Sequence, residues 1–173
     1  SERDPEGRVF APLADAYRRA GQIPEAVRLL NDGLARLPDF VPGHVVAAQL
    51  YVEQGLGEEA GLAARRALEL DPDNAEALYT LATTTFEYDR AWTEAAALFR
   101  RAIALDPDYA QGITWYCVFL YGIGRWREAV PWCERGVELD PLGVNALASL
   151  REALFLVGDY EAGLRANSRA LAV

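Results

Sequence analysis

The stretch Trp92–Pro107 carries Ala95, Phe99 and Ala102 at 3- and 4-residue spacing, with the Arg100-Arg101 pair off that line. Such spacing predicts one amphipathic helix. Asp106-Pro107 closes it, because proline cannot continue a helix and holds the residue before it extended. The pattern recurs. Trp126-Arg127-Glu128-Ala129 leads through Cys133, Gly136 and Val137 to Leu139-Asp140-Pro141. Gly57-Glu58-Glu59-Ala60 leads through Ala64, Ala67 and Leu68 to Leu70-Asp71-Pro72, and Ile23-Pro24-Glu25-Ala26 through Leu30, Gly33 and Leu34 to Leu37-Pro38. The closing residues Pro38, Pro72, Pro107 and Pro141 lie 34, 35 and 34 residues apart, which marks a repeat protein.

Each unit opens with a second helix, here the A helix, ahead of the B helix just described. Its apolar residues again follow helical spacing: Phe10, Leu13, Ala14, Tyr17; His44, Ala47, Ala48, Tyr51; Leu78, Leu81, Ala82, Thr85; Ile113, Tyr116, Cys117, Leu120; Leu147, Leu150, Arg151, Leu154. Gly21, Gly55, Gly124 and Gly158 stand between A and B, where a helix end commonly needs positive φ. The expected organisation is a lead-in over residues 1–7 and a single array over residues 8–173. Its units are about 7–40, 41–74, 75–109, 110–143 and 144–173. Periodicity by itself supports stacked helix pairs.

The pattern resembles the tetratricopeptide repeat: a large residue, Leu, a small residue and Tyr on the A helix, then Gly, Ala, a bulky residue, Ala and Pro. The resemblance covers residues ~7–173. It implies an all-α fold, an α-solenoid of about five stacked antiparallel helix pairs forming a superhelix, with a concave groove lined mainly by A helices.

Three departures carry expectations of their own. The third unit is one residue longer and has Glu87-Tyr88-Asp89-Arg90 in place of a turn glycine, which predicts a longer or distorted loop. Pro131 falls about one turn into the fourth B helix and should delay its start or kink it. Arg151 and Asn167 replace apolar residues in the fifth unit, so helix 160–172 is expected to cap the array. Trp92, Trp126 and Tyr160 open B helices at one equivalent position and are expected to plug the A–B turns.

Composition narrows the chemistry. Half of the residues are apolar and a quarter charged, as in a globular protein. A net charge of −9 argues against nucleic acid and against an anionic membrane, both of which need a basic footprint, and so against an RNA-binding solenoid of the pentatricopeptide class. No apolar run approaches the ~18 residues that span a bilayer. With no secretory pattern at Ser1 either, a cytoplasmic location is expected. All 17 basic residues are arginine, which removes the P-loop lysine, Schiff-base chemistry and a lysine base. His44, the one histidine, occupies a packing position. Cys117 and Cys133 are wrongly spaced for a zinc knuckle, and are expected to be buried thiols acting as small hydrophobes on facing helices. No enzyme, metal or cofactor is expected.

The family resemblance also implies which residues face a ligand: A-helix positions spaced i, i+4 and i+7 beside the packed face. Carried over unit by unit, these are Ala11, Asp15 and Arg18; Val45, Gln49 and Val52; Tyr79, Thr83 and Phe86; Thr114, Val118 and Tyr121; Ala148, Glu152 and Phe155, with Trp115 adjacent. The middle of this stripe is apolar and aromatic. It fits a groove for an apolar extended segment or an amphipathic helix, and equally fits packing between neighbouring A helices. Family members that grip chaperone C-termini hold paired carboxylates with lysine, arginine and asparagine. Ala11, Asp15 and Val46 stand at those positions here, so such a clamp is not expected.

The function expected is a non-catalytic protein-interaction scaffold, its partner a protein or peptide with an apolar segment and a basic rim. One rival is self-assembly of copies, since Phe10, Leu13 and Tyr17 have no preceding repeat to cover them. Another is a recruiting domain cut from a larger bacterial signalling or regulatory protein.

Overall fold

The structure is a computed structural model and describes residues 7–170, with residues 167, 169 and 170 described by backbone alone. Residues 1–6 of the lead-in, residues 171–172 of the predicted cap and the Asn167 side chain lie outside the described residues. Among these there are ten α-helices and no strand. They are α1 (Phe10–Arg19), α2 (Ile23–Arg36), α3 (Val41–Glu53), α4 (Gly57–Leu70), α5 (Ala75–Glu87), α6 (Trp92–Leu105), α7 (Ala110–Gly122), α8 (Trp126–Leu139), α9 (Val144–Val157) and α10 (Tyr160–Ala170). The fold is the all-α helix-pair solenoid type. The chain divides into two compact units, Ser1–Ala95 and Ala96–Val173, the division falling within α6.

In the first unit α1 packs on α2 and α3 on α4, each odd helix also meeting the next odd one. The B-helix stripe is buried throughout: Ala26, Leu30 and Gly33 on α2, Ala60, Ala64 and Ala67 on α4. Phe10 is buried against the Phe40 ring at 5.4 Å, instead of lying uncovered at the start of the array. The reason is room made by glycine. A Cβ on Gly33 would stand 2.2 Å from the Phe10 ring, and one on Gly43 3.0 Å from it. Leu13, one turn on, stays exposed.

In the second unit Phe99 lies between Tyr116 and Phe119, with ring centroids at 5.5 and 5.2 Å, and Trp132 meets Tyr116 edge-on at 5.0 Å. Phe99 and Phe119 are fully buried, which contributes about 1.5–3 kcal/mol apiece. Cys117 of α7 and Cys133 of α8 are joined by a disulfide across Cα atoms 5.3 Å apart, which corrects the expectation of two thiols. The same closeness that suits two small hydrophobes in contact also suits a covalent bond. A link closing a loop of 16 residues contributes about 3 kcal/mol, mainly by restricting the unfolded chain.

Four A–B turns share one geometry. After α1, Gly21 at φ +72° donates its N–H to the Arg18 carbonyl, and Gln22 donates to that of Tyr17. Gly55, Gly124 and Gly158 repeat this, the two bonds satisfying carbonyls that a helix end would otherwise leave open. The turn after α5 is the expected exception. It has four residues, 88–91, and Arg90 takes the left-handed position at φ +54°. Ala91 closes it by donating to the Thr85 carbonyl at 3.2 Å.

Two further expectations meet the structure. The expected delay of α8 is corrected: it begins at Trp126 and runs on to Leu139 with Pro131 inside it. One donor is lost, but Ala129, Cys133 and Gly136 are all buried, and that packing holds the helix together. Trp92, Trp126 and Tyr160 do not plug turns. All three are largely exposed, and Tyr88 instead fills the space over Gly57, where a Cβ would meet its ring at 2.4 Å.

Arginine in the left-handed region is strained, whereas glycine is not. Arg90→Gly is expected to raise stability by about 0.5–1 kcal/mol, read as a higher urea midpoint with unchanged slope.

Candidate functional site

The stripe transferred from the family pattern can be followed helix by helix, each unit by itself. On α1, Ala11 is buried and Arg18 is only 7% exposed. The Arg18 guanidinium donates to Asp15 at 2.6 and 3.0 Å and to Glu53 on α3. Burial alone would lower its pKa, but the Asp15 hydrogen bond and the charges of Glu53 and Asp15 outweigh that and raise it. This cation is therefore already matched by two carboxylates.

On α3, Val45 and Gln49 are buried and Val52 is half-buried. Gln49 donates to Glu76 on α5 at 3.1 Å. Tyr79 and Thr83 of α5 are each 2% exposed, while Phe86 is half-buried. The Thr83 hydroxyl bonds the Tyr79 carbonyl at 2.9 Å, and Thr80 and Thr84 satisfy themselves on their own helix in the same way. Helix α3 touches α1, α2, α4 and α5, which accounts for burial beyond one face.

The second unit differs. Thr114, Trp115, Val118 and Tyr121 of α7 are half-buried, as is Ala148 of α9, and Glu152 is exposed. Thr114 bonds back to the Ala110 carbonyl at 3.0 Å. Burial raises the Tyr121 pKa, a hydrogen bond with Ser149 of α9 opposes the rise, and Glu152 adds to it while Arg151 subtracts. Phe155 leaves the stripe: its ring lies over Gly163, where a Cβ would be 2.3 Å away, and touches Tyr160 at 6.1 Å.

Of the α7 residues, Tyr121 meets Ser149 of α9 with Glu152 nearby, whereas Thr114 packs against Gly136 of α8. The α1, α3 and α5 positions are held mostly in packing. Sequence reasoning missed the partners Glu53, Glu76 and Ser149, which tie one A helix to the next. Only the Arg18–Glu53 pair carried a signal, its 35-residue separation matching one period, whereas Glu76 is 27 residues from Gln49.

Other candidates have structural partners. His44 is half-buried with Nε2 2.7 Å from the Pro38 carbonyl, so that nitrogen carries the proton and donates. Arg66 pairs with Asp39 at 2.5 Å and with Glu69, and Arg135 repeats this with Asp108 at 2.6 Å and Glu138. Among the described residues no cluster of His, Cys, Asp or Glu could hold a metal ion, and no helix is long and apolar enough to cross a membrane.

Tetratricopeptide repeat models match the sequence over residues 12–75 and 45–110, and in another version over residues 88–154. No curated protein matches it in sequence. Among solved structures, MamA is 24% identical, with 92% of each chain covered and a TM-score of 0.65. PilW, described as a widely conserved type IV pilus biogenesis factor, is 21% identical over 96% of this chain and 78% of its own, at 0.79. Pseudomonas aeruginosa PilF is 19% identical over 99% and 78%, at 0.74. These likenesses establish the fold.

Tyr121 offers a check on the face as built. A phenol whose pKa is raised on folding contributes stability that is intact below its unfolded value of ~10 and lost as pH rises through the folded value. Urea midpoints of wild type and Tyr121→Phe, taken from pH 8 to 11, should show an alkaline fall that is smaller in the variant.

Proposed function

Because the chain belongs to the tetratricopeptide repeat family, whose arrays are generally non-catalytic protein-interaction scaffolds, we propose that it binds another protein through the α7–α9 face. The observation that carries this reading is the contrast along the stripe. Val45, Tyr79 and Thr83 are buried, whereas Thr114, Trp115, Val118 and Tyr121 keep part of their surface open beside exposed Glu152. An apolar strip of this kind, flanked by a carboxylate, suits an apolar segment or amphipathic helix carrying basic residues at its edge. The net charge of −9 favours the same partner and speeds its approach. The peptide-groove reading of Arg18, Gln49 and Tyr79 is the weaker one, since their side chains already serve their neighbours.

The test is a pull-down followed by titration of the captured partner. Val118→Ala/Tyr121→Ala, at unchanged helical content, should bind at least about tenfold more weakly, as the loss of a central apolar contact typically does. Equal affinity would sink the reading.

A second reading, self-assembly, is favoured by one observation. Pro12, Leu13 and Ala16 of α1 are exposed, Leu13 by 43%. The matching α3 residues Val46, Ala47 and Leu50 are buried where α3 meets α2. A second copy could supply the missing cover. Sedimentation equilibrium should then give a mass above the 19.0 kDa of one chain, falling to that value in Leu13→Arg. A single-chain mass at high concentration would exclude it.

A further inference from the structure

The chain has two cysteines and both are in the Cys117–Cys133 bond, so among the described residues no thiol remains. The equivalent positions hold Ala14 and Leu30 in the first repeat and Ala48 and Ala64 in the second, all buried. Packing alone is met by any such pair. Only in the fourth repeat does cysteine occur, and there it occupies both sides at once.

From this co-occurrence we infer that the protein is oxidised by thiol–disulfide exchange while it folds, and that it works in an oxidising compartment instead of the cytosol. Disulfides persist where no glutathione or thioredoxin system keeps thiols reduced. Cys117 and Cys133 are 0% and 1% exposed, so the oxidant must reach them before α7 closes on α8. In the exchange, one thiolate attacks a carrier protein's disulfide and expels the first carrier thiol. The second thiolate then attacks the resulting mixed disulfide, forming the Cys117–Cys133 bond and releasing the second carrier thiol. The two protons and two electrons lost by this chain appear on the carrier dithiol. Once the repeat has closed, its burial seals the bond against small reductants, so it serves as a permanent link and not as a switch.

The inference runs against the cytoplasmic expectation drawn from the start of the sequence, and it stands independently of the α7–α9 face. Any partner of that face would have to share the compartment.

The test is thiol trapping of the full-length protein in the cells that naturally make it. Cells are quenched in acid, the protein is denatured and treated with a polyethylene-glycol maleimide, with or without prior reduction, and its migration is followed by immunoblot. The expected result is no shift without reductant and a two-adduct shift after it. A two-adduct shift in most of the protein without reductant would overturn the inference, because the bond would then be absent where the protein lives.

Discussion

The distance between the two helices of a pair is set by small side chains, and the rest of each unit is built on that limit. Ala26, Ala60, Ala95 and Ala129 occupy one equivalent position on the B helices and are all fully buried. No larger residue lies at that point, so two backbones approach closely, and the next contact along fills what space remains: Leu30 on α2, or the Cys117–Cys133 bond on α8. Interiors packed to crystal-like density tolerate little departure from such an arrangement. Gly33 and Gly136 extend the same economy, each making room for a neighbour where a methyl group would collide: the Phe10 ring at 2.2 Å, the Thr114 hydroxyl at 2.9 Å.

Polar residues follow a second rule on the A helices. Arg18 to Glu53 and Gln49 to Glu76 each join one A helix to the next in the first unit, and Tyr121 with Ser149 does so in the second. A buried polar group needs a partner, and no buried side-chain atom among the described residues lacks one. Positions that a ligand could use are thereby committed to holding neighbouring repeats in register. Thr114 instead meets its need locally, its hydroxyl turning back onto its own helix.

The B helices were legible because a single apolar stripe at helical spacing has one physical meaning, and Ala60, Ala64 and Ala67 are buried as that spacing requires. The extra residue near Arg90 was legible too, since the period broke there and the glycine was missing. Less could be read on the A helices. Periodicity reports one buried face, whereas α3 has four helices around it, and the contact of α3 with α1 and α5 leaves no signature within α3 itself. The exposure of Trp126 and the inward turn of Phe10 depend on glycines and rings far away in sequence, which local spacing does not record. The disulfide failed for a different cause. Cysteine at an apolar position looks like any small hydrophobe until the opposite helix is considered with it.

Force gives the Cys117–Cys133 bond a meaning separate from chemistry. A segment of chain drawn out straight spans at most ~3.3–3.6 Å per residue. The residues between the two cysteines, spanning a separation of 16, stay enclosed in the loop and never join the load-bearing path. Tension instead passes from α7 to α8 through sulfur, bypassing the turn at Gly124. The repeat containing it therefore yields roughly 50 Å less extension than an unlinked repeat would. In a molecule assembled from near-identical pairs, this pair alone has a fixed mechanical limit.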